Sequence, residues 1–143
     1  MSHRDQHVVA GVDGSDASIA LLDWAASYAA IVGADVKVVG AWCRHEQADH
    51  PSSRADDVVT VALEDRLHHL VRQTCTGVPH QVVVANADPA ALLLRESRGA
   101  DLIVVGAAFG DGDTRAGSAL QTVLRQAPCP VVVVPAIHPT TTS

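Results

Sequence analysis

The chain has 143 residues, a formal charge of −6 and 48% apolar residues, with Trp24, Tyr28, Trp42 and Phe109 as its only aromatics. That length suits one domain with a single substantial core, and the Ala- and Val-rich apolar content argues against disorder. The acidic balance and scattered arginines give no basic stripe for nucleic acid or an anionic membrane, so neither is an expected partner.

His7 to Asp13 (HVVAGVD) predicts a first strand, followed by a helix from Asp16 to Val32 with Leu21, Leu22, Ala25, Ala29 and Val32 along one face. Gly33 is its stop signal. Asp35 to Trp42 (DVKVVGAW) reads as strand two and leads into a polar loop, Arg44 to Arg54. A helix over Asp56 to Thr74 follows, its stripe formed by Val59, Leu63, Leu67, Leu70 and Val71, and His80 to Ala85 makes strand three. Asp88-Pro89 opens the third helix with a capping acid and an N1 proline, and Leu93, Leu94 and Ser97 are expected to face inward. Asp101 to Val105, Ser118 to Ala127 and Pro130 to Val134 complete the pattern as strand, helix and strand, before a polar tail over 136–143.

The order is βαβαβαβαβ. Strands that are apolar on both faces, alternating with amphipathic helices, predict an α/β fold: an open five-stranded parallel sheet with helices on both faces. In such sheets ligands bind at the carboxyl ends of the strands, where Asp13, Trp42, Asn86 and Gly106 fall.

Two loops at that edge could carry chemistry. In Gly11-Val12-Asp13-Gly14-Ser15-Asp16, Gly14 permits a tight turn and Ser15 or Asp16 caps the helix. Asp13 either accepts hydrogen bonds from a ribose or base, or belongs to a strand–turn–helix with no ligand. No GxGxxG is present. In the second loop, Gly106, Gly110 and Gly112 let the backbone close on a phosphate, with Gly117 and Ser118 opening the helix and Arg115 adding charge. The alternative there is a plain surface loop. Asp111 and Asp113 oppose an anion unless Mg2+ intervenes, and the GK[ST] of a Walker loop is missing.

The remaining candidates are weaker. Cys43, His45 and His50 share the polar loop without metal-ligand spacing, and His68 and His69 point about 100° apart on a helix. Three cysteines without a CxxC fit a reduced, cytoplasmic setting, with Cys75 and Cys129 as core or boundary residues. Met1 to Gln6 is too polar for a signal peptide, and no apolar run approaches a membrane span. The preference for Arg over Lys, with Lys37 the sole lysine, is in keeping with a high-GC bacterial source.

The VVAGVDGSDAS start, the NADPAALL segment, the ADLIVVG strand, the Gly117-Ser118 pair and the Pro-flanked VVVVP strand together resemble the universal stress protein family, from about His7 to Pro135. The resemblance implies a Rossmann-like fold, similar to adenine nucleotide alpha-hydrolases, of strand order 3-2-1-4-5. It also implies a stress-response module of about one domain's length, dimerising along the last strand, of which one subgroup binds ATP and another does not. By position it assigns Val12, Asp13, Gly14 and Ser15 to the nucleotide, Ala41 to the adenine flank, and Gly106, Gly117 and Ser118 to the phosphates. The family's ATP signature runs glycine, two residues, glycine, nine residues, then Gly-Ser or Gly-Thr. Here Phe109 takes the second glycine's place, Gly110 follows it, and the span from Gly106 to Gly117 is two residues short.

In the implied order Val131, Val132, Val133 and Val134 form an edge strand, either paired with a second copy or covered by the tail from Ala136. The expected function is a homodimeric ATP-responsive binding module with Mg2+ as a possible companion. Any hydrolysis is slow, because no positioned general base is evident. The alternative is a nucleotide-free interaction protein of the same fold that recruits partners through its dimer surface and the Arg44–Arg54 loop.

Overall fold

The computed structural model describes residues 6–42, 54–110 and 119–135, with the backbone alone described at 54 and 55. Nine elements alternate: β1 (His7–Val12), α1 (Ala17–Val32), β2 (Asp35–Trp42), α2 (Arg54–Thr74), β3 (His80–Asn86), α3 (Pro89–Glu96), β4 (Leu102–Gly106), α4 (Ala119–Gln126) and β5 (Val131–Val134). The strands form one sheet of order β3-β2-β1-β4-β5, and every neighbouring pair is parallel. This is the doubly wound arrangement that the alternating pattern predicts.

Alternation along β1 divides the core in two. Val8, Ala10 and Val12 point into a cluster with Leu21, Leu22, Ala25 and Ala29 of α1 and Leu67, Leu70 and Val71 of α2. Val9 points the other way, joining Val39, Ile103 and Val105 beneath Leu92 and Leu93 of α3 and Val123 of α4. Leu22, Leu67, Leu93 and Ile103 are wholly buried. Each contributes roughly 1.5–3 kcal/mol of transfer free energy, which outweighs any local propensity in setting the layers.

Local signals behave mostly as the sequence indicates. The Asp88 carboxylate accepts the N–H of Ala91 at 2.9 Å, with Pro89 at the start of α3, and α1 ends at Gly33. Two expectations need correction. Val59 is not part of the buried stripe of α2, being 43% exposed, and Val58 and Val61 are exposed beside it. The inward stripe of this 21-residue helix runs instead through Asp56, which is buried, Thr60, which bonds Trp42, then Leu63, Leu67 and Leu70, and it leaves Val59 on its flank. Neither Ser15 nor Asp16 caps α1 through its side chain: Asp16 occupies the N-cap position but makes no side-chain bond to the helix.

Candidate functional site

The central strands β1 and β4 send their chains to opposite faces: α1 joins the first cluster and α4 the second. Where neighbouring strands diverge in this way, a crevice opens beyond their carboxyl ends. Three of the predicted positions stand at its rim. Asp13 follows Val12, whose register partner on β2 is Gly40, and Ala41 comes next on that strand. Gly106 follows Val105, the β4 partner of Gly11.

Asp13 is held by its own turn. Its Oδ1 accepts the N–H of Ser15 at 2.9 Å and the hydroxyl of Ser18 at 3.2 Å. The Ser18 hydroxyl in turn accepts the N–H of Gly14 at 3.2 Å. Partial desolvation pushes the Asp13 carboxyl up, but the hydrogen bonds from Ser15 and Ser18 outweigh it and hold the group below the usual carboxylate range. The result is a fixed negative charge at the start of α1, where it also meets the positive end of the helix dipole.

The turn itself depends on Gly14, whose φ of 84° is left-handed. Helix α2 clamps it from outside. Arg66 donates from Nε to the Gly14 carbonyl at 3.0 Å and from Nη2 to Asp16 at 3.2 Å. Leu63 Cδ1 lies 3.0 Å from where a Gly14 Cβ would sit. On the neighbouring strand, Trp42 turns its indole to the Thr60 hydroxyl of α2 at 2.9 Å, while Ala41 packs against the second cluster with Ala85.

Ser18 and Arg66 were not legible as site residues in the sequence. Ser18 does leave a trace, as a polar residue on the otherwise apolar buried face of α1. Arg66 leaves none, because its role arises only once α2 packs across the turn.

After β4 the chain makes a tight turn: the Ala107 N–H reaches the Val134 carbonyl and the Phe109 N–H the Gly106 carbonyl, both at 3.0 Å. The ring of Phe109 folds back over the central strand. A Cβ placed on Gly11 would lie 3.0 Å from its Cε1, beside both methyls of Leu93. Gly110 has a φ of 70° and abuts Ala119 so closely that a Cβ there would collide with that of Ala119. Gly117 and Ser118 lie outside the described residues, as do Gly112, Asp111, Asp113 and Arg115. The structure thus brings Val12, Asp13, Gly14, Ser15, Ala41 and Gly106 to one edge, with the Val12 side chain buried under the helices.

Other candidates assemble no site. Cys43, His45 and His50 are outside the described residues; His68 and His69 are exposed, and no described group of His, Cys, Asp and Glu could hold a metal. Cys75 is buried and Cys129 half-buried, and burial pushes both thiols up, away from thiolate chemistry. At the amino ends of the strands lies an open groove of about 450 Å³, edged by Asp35, Lys37, His80, Glu96 and Arg98. Three of these groups are already engaged within the chain, with Lys37 Nζ 3.1 Å from Glu96 and His7 Nδ1 2.8 Å from Asp35. No described helix is long and apolar enough to cross a membrane.

Comparison with known proteins agrees with this geometry. The chain is similar to a Burkholderia pseudomallei protein of the universal stress protein family at 26% identity, covering 95% of this chain and 100% of that one, with a TM-score of 0.73. It is similar to a universal stress protein solved in complex with cAMP at 24% identity, covering 94% and 100%, TM-score 0.64. An Archaeoglobus fulgidus universal stress protein in complex with dAMP matches at 20% identity over 91% and 97%, TM-score 0.67. A search of curated proteins finds no significant match. The family model described as universal stress protein family matches residues 6–135, and the chain belongs to that family.

Proposed function

We propose that this chain is an adenine-nucleotide binding module acting as a homodimer in a stress response. The observation that carries the reading is the ionised Asp13 at the carboxyl end of the central strand, exposed and held in one orientation by Ser15 and Ser18. Such an acceptor suits ribose hydroxyls or a base amino group. Ala41 and Ala85 offer a shallow apolar flank for a purine. Gly106, Gly117 and Ser118 are the positions assigned to the phosphates by family resemblance, with Gly110 one step past the signature's second glycine, and amides at a helix start favour anions. The cAMP and dAMP complexes of similar proteins support an adenine nucleotide as the ligand class. ATP, with Mg2+ to offset Asp111 and Asp113, is the finer expectation.

Isothermal titration with AMP, cAMP and ATP, each with and without Mg2+, tests the reading. Saturable binding is expected, lost in Gly117→Val while the circular dichroism stays unchanged. Absence of binding by every nucleotide at millimolar concentration would overturn it.

A second reading has one observation in its favour. The Phe109 ring lies over Gly11, where the crevice meets the α3 face, which suits a chain that works without nucleotide and acts through its surfaces.

The dimer follows from β5. It is an edge strand of the sheet, and Val133 on it is 38% exposed. An open edge of four valines is a template for a further strand, and twofold pairing of two β5 copies closes it.

A further inference from the structure

We propose that the ring of Phe109 is this chain's own occupant of the base site, and that it sets nucleotide affinity because it must leave before a ligand enters. The inference rests on the nucleotide-binding reading above. It reconciles that reading with the position of the ring.

Gly11 is the one residue of β1 that offers no side chain to the second face of the sheet. The space it leaves is filled from above: the ring edge would meet a Cβ there at 3.0 Å, and the Leu93 methyls at 3.2 and 3.3 Å. The ring therefore rests on the backbone of the central strand. Ala41, Ala85 and Ala87 border the same cluster, so the surroundings are low and apolar, as a flat aromatic group requires. A phenyl ring and a purine have the same thickness and compete for that floor.

The plug is held loosely enough to move. Phe109 is only half-buried, and it stands in a turn whose described anchors are its own N–H bond to Gly106 and the Ala107 bond to Val134. No hydrogen bond is lost when the ring swings out, since its side chain makes none. A ligand that binds only the open form has its apparent affinity reduced by the fraction of molecules that are open. Removing the ring removes that penalty.

The test compares the wild-type chain with Phe109→Gly and Phe109→Leu by titration with AMP and ATP. Phe109→Gly is expected to bind AMP about tenfold more tightly, about 1.4 kcal/mol. Phe109→Leu, which keeps an apolar plug, is expected to stay within about twofold of wild type, a change of only about 0.4 kcal/mol. A second measurement needs no variant. The chain has one phenylalanine, so fluorophenylalanine labelling gives a single ¹⁹F signal, and saturating AMP is expected to move it to the position of a solvent-exposed ring. If AMP binds while the signal stays in place, or if Phe109→Gly binds no tighter than wild type, the plug is refuted and the nucleotide-binding function stands. If neither protein binds any nucleotide, both fall together.

Discussion

Ser18 shows how a single hydroxyl can organise a site without touching a ligand. It is 3% exposed, and its oxygen both donates to Asp13 and accepts from Gly14. Ser18→Ala removes both bonds and strands the Gly14 N–H, a cost of about 1–2 kcal/mol. The expected outcome in calorimetry is a melting temperature lower by roughly 3–8 °C. Asp13 adds a pH dependence whose sign follows from its lowered folded-state pKa. Below neutral pH the folded protein holds fewer protons at this group than the unfolded chain. The stabilisation is therefore complete above the ordinary aspartate value of about 3.9 and is lost as the pH falls through the lower folded value. Melting curves from pH 7 to pH 2 should show this acid-limb loss in the wild type and a flatter limb in Asp13→Asn. An equal slope in both would show that Asp13 is not held as described.

At the scale of elements, the strands and helices were legible because their signals are short-ranged. The run Leu102-Ile-Val-Val needs only β-branched bulk to become a buried central strand, and Asp88-Pro89 carries a complete helix start in two residues. Replacing Asp88 by Ala should destabilise the fold by about 1 kcal/mol, seen as a lower urea midpoint with an unchanged slope. What was not legible depends on how far one element reaches past another. Val59 has the right spacing for the buried stripe of α2, yet the polar Thr60 takes the inward position beside it, bonded to Trp42 of β2. The crevice divides in the same way. Asp13, Gly14 and Gly106 could be placed from strand ends alone, because topology puts them there. The Arg66 clamp arises only from packing across α2, and no pattern along the chain encodes it. The Phe109 ring was legible as bulk at a glycine position, whereas its resting place over Gly11 and Leu93 comes from packing under α3.

For the whole molecule, the charge of −6 and the valine edge of β5 pull in opposite directions. Net charge keeps copies apart at long range, whereas a valine edge rewards close pairing. Light scattering is expected to find a dimer for the wild type and a monomer for Val133→Lys, which places a charge on that edge. A monomeric wild type would remove the edge strand as the assembly surface. Added salt should strengthen wild-type association, since it screens the repulsion and leaves the apolar contact intact.

The contact between Gly110 and Ala119 bears on how this framework tolerates change. A φ of 70° at Gly110 already excludes most side chains, and a Cβ there would drive into the first residue of α4. The end of the turn after β4 and the start of α4 are thus keyed to one another, and neither can gain bulk without shifting its neighbour.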